Sequence, residues 1–61
     1  MPEVYIYANK GRTPEQKRGL LVDMTEAVVK NFGVKKEDVV VTIVENDPAN
    51  KAKGGIPFNE R

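Results

Sequence analysis

The sequence predicts an α/β fold, a single β-α-β unit in which one helix joins a parallel pair of strands. Three observations predict it. Val4, Ile6 and Ala8 alternate with Glu3, Tyr5 and Tyr7, a period of two. A strongly capped helical run begins at Thr13, and a near-continuous β-branched run begins at Val39. Strand, helix and strand in that order form a parallel pair with a right-handed crossover.

The first strand is expected over residues 2–8, with Asn9-Lys10-Gly11 as the loop that leaves it. Thr13 is placed to cap the helix, Pro14 suits the first helical position, and Gln16 completes a capping box. The helix should run to about Phe32. Leu20, Met24, Ala27 and Val28 share one face, with Leu21 and Phe32 beside them, and Val22 and Val29 form a second stripe. Gly33 stands where a left-handed terminator belongs. Residues 39–45 read Val-Val-Val-Thr-Ile-Val-Glu, the pattern of a strand buried on both faces. Two strands cannot cover a helix and also bury both faces of residues 39–44, so other subunits are expected to supply the rest. Asn46 to Asn50 form a polar turn around Pro48. Lys53-Gly54-Gly55-Ile56-Pro57-Phe58 reads as a turn or short hairpin ending in an apolar anchor, suited to packing on a neighbour.

Size points the same way. Sixty-one residues make one domain at most, spanning 1–61. Burying roughly 60% of the unfolded chain's surface yields about 90 kcal/mol of apolar stabilisation, and ordering the chain costs about the same. A staple is therefore expected. The chain has no cysteine for a disulfide and no histidine for zinc, which leaves oligomerisation. With 10 basic and 9 acidic residues well mixed, and no aromatics interleaved with a basic patch, nothing favours nucleic acid or an anionic membrane as partner. No apolar run approaches membrane-spanning length and no signal peptide is evident, so a cytoplasmic location is expected.

Two places carry candidate chemistry. Pro2 follows Met1 directly; once that methionine is removed, its nitrogen is a free secondary amine at the head of a strand. An α-amino group starts near pKa ~7.7–8.0, in the range useful to a general base. With Met1 attached the same nitrogen is an amide and no base. Arg12 lies between the end of the first strand and the start of the helix, where a guanidinium is placed to grip a carboxylate bidentately and the helix amides add to an anion site. Elsewhere the blander readings prevail: Tyr5 and Tyr7 for packing on a neighbour, Glu45 as a solvated strand end rather than a lysine's partner, Lys51 and Lys53 as solvated charges. Glu37 and Asp38 have no partner set for a metal.

Taken together, Pro2 with its strand, Gly11-Arg12-Thr13-Pro14-Glu15-Gln16-Lys17-Arg18, Thr25-Glu26-Ala27-Val28, the strand Val39–Glu45 and Gly54-Gly55 resemble the 4-oxalocrotonate tautomerase family over nearly the whole chain. The resemblance implies a dimer with a four-stranded sheet and a hexamer built as a trimer of dimers. It also implies an amino-terminal proline, here Pro2, acting as general base or acid in keto–enol tautomerisation of a 2-oxo or enol carboxylate, with no cofactor and no metal. Arg12 matches the arginine that grips the substrate carboxylate, and Asn9 falls with it among the substrate-binding positions. The family's second arginine, which polarises the keto oxygen from a neighbouring subunit, falls at Val40, and the aromatic that walls the site falls at Lys51. Valine donates no hydrogen bond, and loss of one oxyanion donor costs about 10²–10³ in rate in other enzymes. Efficient turnover of the family's usual diacid is therefore not expected, and Lys51 is the candidate substitute cation. The alternative is a catalytically weak relative serving as a structural or ligand-binding module, with Pro2 idle.

Overall fold

The computed structural model describes residues 1–60. Its core unit is β1 (Glu3–Asn9), α1 (Pro14–Phe32) and β2 (Val40–Asn46), with β1 and β2 parallel and paired from Glu3 opposite Val40 to Asn9 opposite Asn46. A two-residue antiparallel ladder, β3 (Ala52–Lys53) with β4 (Ile56–Pro57), follows as a hairpin turning through Gly54-Gly55. Single 3₁₀ turns cover Lys36–Asp38, Pro48–Asn50 and Phe58–Glu60.

Both main strands sit one residue later than the sequence pattern suggests. Pro2 has no N–H to give the ladder; its carbonyl instead accepts the Val40 N–H at 3.0 Å. Val39 cannot join because its own N–H closes the preceding turn on the Lys36 carbonyl at 3.1 Å. The helix has the bounds its caps predict. The Gln16 N–H donates to Thr13 Oγ1, and the Thr13 N–H donates to Gln16 Oε1, each at 3.1 Å. Gly33 ends the helix at φ 68°, a left-handed conformation that glycine adopts without a Cβ penalty.

The helix covers one face of the two-stranded sheet. Val4, Ile6, Ala8, Val41 and Ile43 are half-buried there, and the helical arc facing them runs through Leu21, Met24, Thr25, Val28 and Val29. The Thr25 hydroxyl donates back to the Leu21 carbonyl at 2.8 Å, which satisfies it without a partner from the sheet. Ala27 lies off this arc and is exposed. Phe32 belongs to the arc but is 68% exposed. It ends a helix of 19 residues, about 28 Å, that outruns strands of about 23 Å.

Within one chain the second strand is not buried on both faces. Val40 and Thr42 lie open on the side away from the helix, beside Tyr5 at 55% and Tyr7 at 71% exposure. Val28, at 8% exposure, is the one buried hydrophobic residue among those described, and no side chain there is fully buried. The accessible surface is 4920 Å², against about 4,000 Å² for a compact monomer of this mass. The chain thus buries about half of its unfolded surface, short of the roughly 60% its size allows. The radius of gyration is 14.7 Å and the longest dimension 42 Å, where a compact chain of this length has a radius near 10.5 Å. The segment after β2 accounts for part of the extension. Its principal contacts are internal, including Asn50 N–H to the Asp47 carbonyl at 2.8 Å and Phe58 N–H to the Lys51 carbonyl at 2.7 Å.

Candidate functional site

The site is built where the parallel ladder runs out. After Asn9 the ladder gains one more bond, Lys10 N–H to the Asn46 carbonyl at 2.8 Å. The Lys10 ammonium then meets Asp47 Oδ2 at 3.0 Å, clasping the ends of the two strands. The Ala49 N–H, followed by this lysine, holds the Asp47 carboxyl below its ordinary pKa. Gly11, at φ 118°, turns the chain through a conformation that side chains resist, and the next residue is Arg12. The helix begins at once, so Arg12 is pinned between a strand end and a capped helix.

Beneath Arg12 lies an open pocket of about 230 Å³. Ala8, Leu20 and Ile43 form its apolar floor, and Asn9, Gln16 and an ion pair, Lys17 with Glu45, complete its rim. Lys17 Nζ lies 3.1 Å from Glu45 Oε1, both side chains about one-third exposed. Among the described residues Arg12 has no ion-pair partner. The helix amides expected to assist it are largely committed: Thr13 and Gln16 N–H to the capping box, Lys17 N–H to the Thr13 carbonyl at 3.0 Å, and Pro14 has none. That leaves the Arg12 guanidinium, rather than the helix amides, as the positively charged group at this corner with no ion-pair partner among the described residues.

The structure divides the sequence-predicted residues among three places. Asn9 and Arg12 stand together at the pocket. Pro2 and Val40 stand together at the opposite end of the strands, joined by the 3.0 Å bond from the Val40 N–H to the Pro2 carbonyl. The two ends are about 23 Å apart along β1. Lys51 lies in the segment after β2, its ammonium 5.2 Å from the centre of the Phe58 ring. Pro2 is half-buried beneath a Met1 that is 86% exposed, and Val40 is 38% exposed on the sheet face away from the helix. Close by, the Tyr5 hydroxyl donates to Glu3 Oε1 at 3.1 Å, and that acceptor, with its negative charge, raises the tyrosine's pKa.

Sequence reasoning ranked a lysine partner for Glu45 behind a solvated strand end and did not identify Lys17, and it missed Gln16 and Leu20 as pocket residues. A signal was available. Gln16 and Leu20 are four apart on a helix that starts beside Arg12, so one face of its first turns must look over the strand ends. Among the described residues no helix is long and apolar enough to cross a membrane.

Comparison with known proteins bears on this arrangement. The family model for Tautomerase, described as tautomerase enzyme, matches residues 2–61. A protein of Bradyrhizobium diazoefficiens named as a probable tautomerase is 48% identical over 61 residues, covering all of this chain and 91% of its own. The crystal structure of YwhB, a homologue of 4-oxalocrotonate tautomerase, superposes with a TM-score of 0.92 at 37% identity over 98% of both chains. A heterohexamer 4-oxalocrotonate tautomerase from Chloroflexus aurantiacus gives 0.89 at 32% identity, over 98% of this chain and 97% of that one.

Proposed function

The chain belongs to the tautomerase family, and on that premise we propose that it is an isomerase moving a proton between carbon and oxygen of a 2-oxo or enol carboxylate. Pro2, freed of Met1, is the base: its amine takes the enol proton and delivers a proton to carbon, ending as it began. Arg12 holds the substrate carboxylate through paired N–H donors. Asn9 lies beside it on the substrate side, and Lys51 is the cation for the oxygen that Val40 cannot serve. The observation that carries the reading is Arg12, a cation with no ion-pair partner among the described residues, fixed between strand end and capped helix at the mouth of an apolar pocket.

Pro2 and Arg12 stand at opposite ends of β1, so a working site takes them from different copies of the chain. A homo-oligomer is part of the proposal, in the form of a hexamer made of three dimers, each dimer joining two strand pairs into a four-stranded sheet. The heterohexamer named among the similar structures supports that form.

The test is ketonisation of an enol-pyruvate by a preparation whose mass shows Met1 removed. Pro2→Ala should lower kcat strongly with the fold intact, and Arg12→Ala should raise KM about tenfold or more, since charge-assisted hydrogen bonds contribute roughly 1.5–3 kcal/mol each. Unchanged rates in both variants sink the proposal. Val40 favours a second reading, a ligand-binding module with Pro2 idle; retention of Met1 in the purified protein would decide for it.

A further inference from the structure

We propose that the pocket selects substrates with a single carboxylate and an apolar, ring-sized tail, and discriminates against dicarboxylates. The inference rests on the reading of the Arg12 pocket as the substrate site and is carried by its charge arrangement. Among the described residues, three charged side chains line the pocket: Arg12, Lys17 and Glu45. Lys17 and Glu45 neutralise each other at 3.1 Å, which leaves, among the described residues lining the pocket, one cation for one carboxylate.

A substrate anchored on Arg12 extends over Ala8, Leu20 and Ile43. A second carboxylate there would lose water without gaining a positive partner, a costly transfer. Asn9 and Gln16 add no charge, and the Gln16 carbonyl oxygen is already bound to the Thr13 N–H. Lys51, the cation assigned to the keto oxygen, lies over the Phe58 ring of its own chain and is not among the residues lining this pocket. An apolar group meets no such cost. At 230 Å³ the pocket exceeds the about 150 Å³ of an engineered apolar cavity that takes up benzene. Glu45 is then a specificity residue: by holding Lys17 it denies the pocket a second cation.

The test uses two unreactive probes, 3-phenylpropanoate and adipate, titrated calorimetrically into the assembled protein. Wild type should bind 3-phenylpropanoate at least tenfold more tightly. Glu45→Gln frees Lys17 and should narrow that ratio by about tenfold, the effect of one charge-assisted contact. Adding Lys17→Gln to it should restore the original ratio, and Lys17→Gln alone should leave the ratio in place. Wild-type affinity for adipate equal to that for 3-phenylpropanoate overturns the proposal, as does selective loss of adipate binding in Lys17→Gln. That second result needs no folded Glu45 variant. Arg12→Ala separates the two levels of argument. If it weakens both probes while wild type shows no preference, selectivity alone is refuted. If it weakens neither, the site assignment falls and this proposal with it.

Discussion

Val40 combines two facts that bear on each other. Its backbone N–H fixes the Pro2 carbonyl, and its side chain is 38% exposed on the open face of the sheet. Enolisation places negative charge on the keto oxygen, and a donor aimed there acts chiefly in the transition state. Val40→Arg leaves the backbone bond in place and sets a cation on a surface that the chain itself does not bury. The expected outcome is a rise in kcat for enol-carboxylate ketonisation on the order of tenfold or more, larger than any change in KM. Steady-state kinetics alongside a thermal melt checks it; a well-folded variant with no gain would mean that the donor is already supplied, with Lys51 the first suspect. Individual residues were unequally legible. Arg12 was readable because its neighbours in sequence, Gly11 on one side and Thr13 to Gln16 on the other, also fix its surroundings. The Lys17–Glu45 pair was not, because it joins residues 28 apart and depends on how far the crossover carries the helix over the strand end.

Among the elements, α1 was the most legible because its determinants are local. The capping box lies within four residues, and the terminator is a glycine at φ 68°. Thr13→Ala removes the side chain that accepts the Gln16 N–H. It should cost about 1 kcal/mol of stability, read as a lower denaturation midpoint. Because the helix start abuts Arg12, carboxylate binding should weaken as well. A Thr13→Ala protein of unchanged stability would show the cap to be redundant with Pro14. The strands were legible in kind and misplaced by one residue, since periodicity marks an alternation without saying which N–H groups are already spent. Val39, held by Lys36, is the case in point. The apolar face of α1 was only partly legible. Helical spacing sets Phe32 on the inward arc, but only the length of the sheet shows that it passes the end.

At the scale of the molecule the surface is too large and the core too small for a chain that stands alone. Val28 is its one buried residue among those described, and Tyr5, Tyr7 and Val40 line an uncovered sheet face. Sedimentation at micromolar concentration should find no folded monomer, with helical circular dichroism lost on dilution together with mass. A stable folded monomer would contradict the argument from core size. The need for partners was legible in the β-branched run after Val39, whereas the elongated outline was not, because no local pattern records where a terminal segment points. The about 23 Å between the ends of β1 has a genetic consequence. If each working centre borrows its proline from one copy and its arginine from another, two defective proteins complement each other. Pro2→Ala and Arg12→Ala subunits, each inactive by itself, should regain activity when unfolded together and refolded as a mixture. Random partnering at equal amounts leaves both residues intact in about a quarter of the centres of a symmetric assembly. Recovery near that fraction would show that the unit of function is the contact between chains.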